Sequence, residues 1–293
     1  MSADVLAAFS SLRQHQRKGQ RSPHKPLLAL LALGRLAATG SSEVSWSLAE
    51  EKLADLIAEF GPASHTGRAQ SAAYPFTRLR ADHIWVLDRD VDDDKVSPLR
   101  AGVTGRFEAT LEQRLAEDPA LVETVARTLV DSHFPPTVAG DRRHLGFDPE
   151  VPPVPGTAPV SARKRSQVWR TAVLQAWDEQ CACCGFDGRS GGTAIGVAAA
   201  HVRWFAFDGP DETDNGLALR SLHHKLFDRG VLGLDDGLGV IVSQRFTART
   251  SSGKAVYALH GRRLDPRPGT APPAGEHVSW HRRQVFQGLP LAG

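Results

Sequence analysis

Apolar residues recur at helical spacing through most of the first half of the chain. Residues 5–13 show the one-sided apolar pattern of an amphipathic helix. Residues 27–38 are apolar on nearly every side, which predicts a helix at the centre of a core, with Pro26 suited to its first turn. Further helices are predicted at 47–60, capped by Ser47, and at 111–130, with short strands at 73–76 and 83–87.

The second half of the chain mixes helical and extended patterns. Residues 166–180 are amphipathic, which predicts a helix leading into three cysteines. Extended segments are predicted at 193–202, 231–234, 240–245 and 255–259, the last two as a strand pair, and a short helix at 222–228. The predicted fold class is α+β, with a mostly helical first part that contains short strands.

A proline-rich stretch separates these two halves. It contains Pro135, Pro136, Pro152, Pro153, Pro155 and Pro159, with no helical or strand periodicity between them. Proline removes backbone donors and stiffens the chain, which is typical of an interdomain linker. The 293 residues therefore divide into a predicted domain at 1–134, a linker at 135–160 and a second predicted domain at 161–293.

Composition limits the class of protein. The net charge of +2 and the pI of about 8.5 do not by themselves indicate a nucleic-acid binder. No apolar run reaches the roughly 18 residues of a membrane-spanning helix, so no membrane partner is expected. The three cysteines of the chain, Cys181, Cys183 and Cys184, lie within four consecutive residues. This spacing excludes a disulfide scaffold and favours the reducing cytoplasm.

Three polar residues in the second half have the chemistry of phosphodiester hydrolysis. His201 ends a predicted strand, Asn215 lies in the following loop, and His224 lies one turn into a predicted helix. A histidine can take a proton from water, and an asparagine carbonyl can hold its ring in one tautomer. A second histidine can bind a metal ion that polarises the phosphate. The alternative is that both histidines are ordinary core or surface residues.

The segment from Cys181 to about Gly233, including the string NGLALRSLHHKLFDRG, resembles the HNH nuclease family and its ββα-metal motif. The resemblance implies that His201 is the general base, that Asn215 orients it, and that His224 binds a divalent Mg²⁺ or Mn²⁺ ion.

Two positions depart from the family pattern. Many HNH enzymes carry a second metal ligand immediately before the base, where this chain has Ala200. Related domains often hold a structural zinc ion between two pairs of Cys or His ligands. Here Cys181, Cys184 and His223 are available, but Arg220 occupies the fourth place. Structural zinc normally has four ligands, so the site is incomplete unless Cys183 or a distant residue completes it; otherwise the cysteines pack in the core.

Basic residues gather just before the helix predicted at 27–38. Arg21, His24 and Lys25 are the nearest to its start. Cations and backbone N–H groups at a helix start suit a phosphate group. Such contacts position a protein on DNA without reading sequence. A solvated basic loop has the same composition, so this pattern alone leaves both interpretations open.

A second string in this half combines small residues with a Tyr-Pro pair. Ala73, Tyr74 and Pro75 can form a shallow apolar concavity, or they can be core residues of a hairpin. The strings RSPHKPLL and AYPFTRLRADHIW together resemble the sulfur-binding domain, which recognises DNA with a backbone phosphorothioate. The resemblance covers about the first 130 residues.

The resemblance implies a pocket for sulfur lined by Ala73, Tyr74 and Pro75. Sulfur is less strongly hydrated than oxygen, so its burial against apolar groups costs less. Arg21 and His24 would compensate the remaining negative charge. Base preference near the modification would come from groove contacts by arginines, for which the candidates are Arg68, Arg78 and Arg80.

Together the two resemblances imply a modification-dependent restriction endonuclease that acts on phosphorothioated double-stranded DNA. Either a homodimer or two independent nicks would break both strands. One alternative keeps the nuclease but replaces the target with a modified base such as 5-methylcytosine. Another is a reader of phosphorothioated DNA without catalysis, in which Ala200 and Arg220 mark a decaying nuclease.

Overall fold

The computed structural model describes residues 2–12, 22–62, 68–135, 137, 166–264 and 266–292. The chain forms two compact units, Met1–Ala162 and Arg163–Gly293. Most of the linker predicted at 135–160 lies outside the described residues, as does Arg21.

The first unit is built mainly from helices. The helices are α1 (Ser2–Ser10), α2 (His24–Thr39), α3 (Trp46–Leu48), α4 (Ala54–Phe60), α5 (Arg68–Arg78), α6 (Val96–Leu99), α7 (Ala109–Glu117) and α8 (Pro119–His133), with a π-helical turn at Ala49–Leu53 and a 3₁₀ turn at Leu79–Asp82. As predicted, α2 is central, because Leu27, Leu28, Leu30 and Leu33 are fully buried. Gly40 ends α2 in the left-handed conformation, with φ of 75°, which glycine adopts without steric cost.

Two local predictions for this unit were wrong. Residues 73–76 are helical rather than extended, because α5 places Ala72, Ala73 and Phe76 on the buried side at helical spacing. Pro75 lies inside this helix, so Tyr74 and Pro75 are not core residues of a hairpin. The helix predicted at 47–60 is capped by Ser45 rather than by Ser47, because the Ser45 hydroxyl accepts a hydrogen bond from the Leu48 N–H.

A small antiparallel sheet closes the first unit. Its strands are β1 (Val44–Ser45), β2 (Trp85–Leu87) and β3 (Thr104–Phe107), in the order β1-β3-β2. The Trp85 indole N–H donates to the carbonyl of Phe76 at 3.0 Å, which ties the sheet to α5. A Cβ atom at Gly105 would lie 2.5 Å from the Trp85 ring, so this contact requires glycine.

The second unit is organised around a hairpin followed by a helix. Strand β6 (Val197–His201) pairs antiparallel with β7 (Gly216–Arg220), and α10 (Ser221–Asp228) follows directly. The other α-helices and strands described in this unit are α9 (Gln167–Ala176), β4 (Arg189–Ser190), β5 (Thr193–Ala194), β8 (Leu232–Leu234), β9 (Val240–Val242), α11 (Ser251–Lys254) and α12 (Gly275–Gln284). This ββα arrangement agrees with the predicted short helix at 222–228.

The prediction of a strand at 255–259 was wrong. This segment contains a 3₁₀ turn, Tyr257–Leu259, and the partner of β9 is β8. A continuous apolar run of only five residues fits either conformation. Among the described residues, no helix is both long and apolar enough to cross a membrane.

The first unit also contains a buried ion pair. The Lys25 ammonium contacts the Asp82 carboxylate, and both side chains are almost completely buried. The pair joins the start of α2 to the 3₁₀ turn after α5. The DNA contact predicted for Lys25 would require this pair to open.

We expect Lys25→Met to lower the free energy of unfolding of the first unit by about 3–5 kcal/mol, because it breaks a buried ion pair by removing one of its two charges. Urea denaturation followed by tryptophan fluorescence measures this change. Arg100→Met is the matched control: it removes a cation from an exposed ion pair with Glu50, for which the expected loss is at most about 1 kcal/mol. An equal effect of both substitutions would contradict the assigned importance of burial.

Candidate functional site

His201 is the last residue of β6 and is held between aromatic rings. Its imidazole stacks on Trp169 of α9, with ring centroids 3.7 Å apart and an interplanar angle of 15°. The Phe205 ring lies 5.6 Å away on a tilted plane. The His201 side chain is only 9% exposed, so its ring orientation is fixed by packing.

Asp211 is a polar partner of His201 that the sequence pattern did not single out. The His201 Nε2 atom lies 2.9 Å from Asp211 Oδ1. The other carboxylate oxygen of Asp211 accepts a hydrogen bond from the Ser166 backbone N–H at 3.2 Å. Asp211 belongs to the loop between β6 and β7, which contains several acidic residues, so spacing alone gave no reason to select it.

Asn215 is fully buried at the end of the same loop. Its side-chain oxygen accepts from the Arg203 backbone N–H at 2.8 Å. Its amide nitrogen donates to the carbonyls of Arg203 and Pro210, each at 3.0 Å. These three hydrogen bonds all go to the loop backbone rather than to the ring of His201. Asn215 therefore fixes the path of the loop that delivers Asp211 to the histidine.

His224 lies on α10, where its Nε2 atom is 3.3 Å from Asp228 Oδ2. The Asp228 carboxylate is buried, whereas His224 is partly exposed. A ring nitrogen paired with a carboxylate leaves the other nitrogen for a metal ion, and this is the usual arrangement of histidine ligands. The donor set therefore fits a divalent cation, but Ala200 is buried and supplies no second ligand.

Cys181, Cys184 and His223 form a compact cluster at the base of the hairpin. Their ligand atoms all lie within 4.8 Å of one another, and Cys181 Sγ is 3.4 Å from His223 Nδ1. Hydrogen bonds from Cys183 and His223 lower the pKa of the Cys181 thiol. The hydrogen bond to Cys181, together with burial, raises the pKa of Cys183.

Arg220 adjoins this cluster at the end of β7. Its backbone N–H lies close enough to the Cys181 sulfur to help lower the pKa of that thiol. Its positive charge opposes the rise that burial causes in the pKa of Cys184. The Arg220 Nε atom is buried without a hydrogen-bond partner among the described residues. A guanidinium group thus stands beside the thiols where a fourth ligand was expected.

In the first unit, the predicted sulfur-binding residues cluster around Tyr74. The Tyr74 ring makes an edge contact with His24, with centroids 6.0 Å apart, and the Arg78 guanidinium lies 5.3 Å from its centre. Burial raises the pKa of the Tyr74 phenol, which keeps it neutral. Pro75 and Ala73 are buried beside it, and Ala73 is completely enclosed in the core.

The arginines that follow Tyr74 are paired with an acidic loop. Arg78 makes a two-pronged hydrogen bond to Asp94. Arg80 donates to Asp90 and Asp93, and also to the backbone of Thr77 and Val91. Arg80 therefore anchors the loop, whereas Arg78 remains exposed beside Tyr74. The side chain of Arg68 lies outside the described residues.

Both halves of the chain match family models. Residues 2–144 match the ScoMcrA-like DNA sulfur-binding domain, and residues 181–235 match the HNH endonuclease. No curated protein matches the chain.

Several solved structures are similar in part. The sulfur binding domain of ScoMcrA complexed with phosphorothioated DNA is 21% identical over 48% of this chain and 94% of that one, with a TM-score of 0.44. The sulfur binding domain of SprMcrA complexed with phosphorothioated DNA is 19% identical over 50% of this chain and 95% of that one, with a TM-score of 0.39. The modification dependent TagI restriction endonuclease is 24% identical over 44% of this chain and 41% of its own, with a TM-score of 0.35.

The two family matches and the sites described above lie in the same parts of the sequence. The Tyr74 cluster falls in the first match, and His201, Asp211 and His224 fall in the second. The chain therefore carries a ScoMcrA-like DNA sulfur-binding domain followed by an HNH endonuclease domain, which makes it a DNA endonuclease of the HNH type.

Proposed function

We propose that this chain is a modification-dependent restriction endonuclease that binds phosphorothioated double-stranded DNA and hydrolyses a phosphodiester bond nearby. The observation that carries the proposal is the ββα unit, in which β6 ends at His201 and α10 presents His224. The sulfur-binding match in the same chain supplies the class of target. The reducing cytoplasm suits an enzyme that meets cellular DNA and has free cysteines.

His201 is the proposed general base. Its stacked ring and its pairing with Asp211 hold it ready to take a proton from water. His224 would bind a divalent ion, Mg²⁺ or Mn²⁺, which would neutralise charge on the scissile phosphate. Asn215 would act on the base through the loop that it holds in place.

The Tyr74 cluster is the proposed site of sulfur recognition. The half-buried ring of Tyr74 offers an apolar surface that would favour sulfur over a hydrated oxygen, and His24 and Arg78, which contact this ring, would compensate the remaining negative charge. Placing an oxygen there without its hydrogen bonds would cost about 1–3 kcal/mol. This penalty corresponds to roughly 5- to 150-fold discrimination.

We expect His201→Ala to lower the cutting rate by at least about 100-fold and to preserve binding, because the base is needed only for chemistry. Two otherwise identical plasmids, one with backbone phosphorothioates, are incubated with the purified protein and Mn²⁺. Asp236→Ala is the control in the same unit and should cut at the native rate. Its carboxylate is 85% exposed, and the residue is far in sequence from the loop between β6 and β7.

Cutting of only the modified plasmid, lost in His201→Ala, supports both halves of the proposal. Cutting of both plasmids would keep the nuclease and exclude a sulfur requirement. Tight binding of the modified plasmid without cutting would indicate a reader that has lost catalysis.

We expect Tyr74→Ala to reduce the preference for modified over ordinary DNA by roughly 5- to 150-fold, because the apolar surface for sulfur is removed. Fluorescence anisotropy with matched duplexes at one salt concentration measures both dissociation constants. Tyr74→Phe is the matched control, since it keeps the ring and removes only the hydroxyl. Equal weakening of both duplexes by Tyr74→Ala would exclude Tyr74 from the sulfur site.

The cysteine cluster leads to a separate proposal on zinc. Cys181, Cys184 and His223 supply three ligands of the right chemistry, but Arg220 supplies a positive charge in place of the fourth. A structural zinc ion prefers four ligands, and an adjacent guanidinium repels a cation. We therefore propose that this site binds zinc weakly.

We expect Arg220→Cys to raise the zinc retained after dialysis to about one ion per chain, because it completes a four-ligand site. Elemental analysis together with competition by a chromogenic chelator measures content and affinity. Arg220→Ser is the matched control, since it removes the charge without adding a ligand. Native protein that already retains one zinc ion as tightly as Arg220→Cys would overturn this proposal.

A further inference from the structure

We propose that Asp211 is a positioning residue for His201, and that it selects the Nδ1 atom of His201 as the base. This inference rests on the proposed nuclease function and deepens it. It starts from the contact of 2.9 Å between His201 Nε2 and Asp211 Oδ1. A carboxylate only accepts hydrogen bonds, so Nε2 carries the proton in the neutral ring and Nδ1 carries the lone pair.

The carboxylate is held by groups on α9. Asp211 Oδ2 accepts from the Ser166 backbone N–H at 3.2 Å, and the Ser166 hydroxyl caps α9 by accepting from the Trp169 N–H at 3.1 Å. The Trp169 indole N–H in turn donates to the carbonyl of Glu212, next to Asp211, at 2.8 Å. The start of α9 and the loop therefore fix each other around the histidine.

Trp169 restrains the other degree of freedom of the ring. Its indole stacks on His201 almost in parallel, so rotation about the Cβ–Cγ bond is limited to two ring orientations in this plane, related by a half-turn of the ring. The hydrogen bond to Asp211 selects the orientation that places Nε2 at the carboxylate. Stacking and hydrogen bonding together determine which ring nitrogen carries the lone pair.

The carboxylate also suits the charge that develops during the reaction. A proton passes from water to His201 Nδ1, and the water oxygen forms a bond to phosphorus. The phosphorus–ester oxygen bond breaks, and the sugar oxygen leaves with the bonding electrons and takes a proton from solvent. His201 becomes an imidazolium at this stage, and the adjacent negative charge of Asp211 stabilises it, as in other histidine–carboxylate pairs.

This role is distinct from that of Asn215. The Asn215 carboxamide is occupied by three hydrogen bonds to the loop backbone, so its removal would displace the loop as a whole. Asp211 instead touches the ring itself, and its side chain is 22% exposed. Substitution of Asp211 should therefore alter the histidine while the fold persists.

We expect Asp211→Asn to lower the single-turnover cutting rate by about 100- to 10,000-fold, with the dissociation constant for modified DNA unchanged within about twofold because no DNA-binding group is lost. Asp211→Glu should recover part of the rate, since it restores the carboxylate. Asp208→Asn is the matched control at an exposed position of the same loop and should cut at the native rate.

A second measurement needs neither cutting nor metal. Long-range ¹H–¹⁵N correlation spectra of histidine-labelled protein report the tautomer of each ring, and the His201 signals are assigned by their loss in His201→Gln. We expect the Nε2–H tautomer in the native protein and its loss or mixing in Asp211→Asn.

A third measurement is the affinity for Mn²⁺, determined by calorimetry. It should be the same in the native protein and in Asp211→Asn.

The outcomes separate this inference from the proposed function. Any of three results would overturn the role of Asp211. These are an Nδ1–H tautomer of His201 in the native protein, cutting by Asp211→Asn at the native rate, and a loss of Mn²⁺ affinity in Asp211→Asn. If His201→Ala cuts at the native rate, the proposed function itself fails, whatever the tautomer.

Discussion

The close approach of α9 to the β6–β7 hairpin is the constraint on which the candidate nuclease site depends. A Cβ atom at Gly216 would lie 2.3 Å from Val173 Cγ2, so only glycine lets the helix pack here. The Trp177 indole N–H donates to the Gly216 carbonyl at 3.2 Å, which secures the same contact. Because His201 pairs with Gly216 across the strands, this approach also brings Trp169 over the imidazole.

Local sequence patterns predicted the part of this site that is close together in the chain. The string from Asn215 to Gly230 contains the end of the loop, β7 and α10 in order, so its pattern predicted the short helix on which His224 lies. Asp211 escaped prediction because its selection depends on α9, which lies far away in sequence. Nothing in the spacing of the acidic residues distinguishes the one that faces His201.

The first unit shows the same limit for different physical reasons. The apolar pattern of α2 predicted a central helix, because a segment apolar on all sides has no other stable location. Residues 73–76 were predicted as a strand, yet the burial of Ala73 and Phe76 follows helical spacing and tolerates Pro75. The cluster of basic residues before α2 was a weaker guide to a DNA-binding surface, because the Lys25 ammonium is buried against the Asp82 carboxylate.

The base of the hairpin shows how the nuclease scaffold can be held without a full metal site. The Ala182 N–H donates to the Ala218 carbonyl at 2.8 Å, and Cys181 Sγ lies 3.4 Å from His223 Nδ1. These contacts dock the cysteine turn onto β7 and onto the helix that carries His224. Hydrogen bonds and burial thus supply a connection that four-ligand zinc supplies elsewhere. Arg220 can therefore stand where the resemblance implied a fourth ligand while the geometry of α10 is preserved.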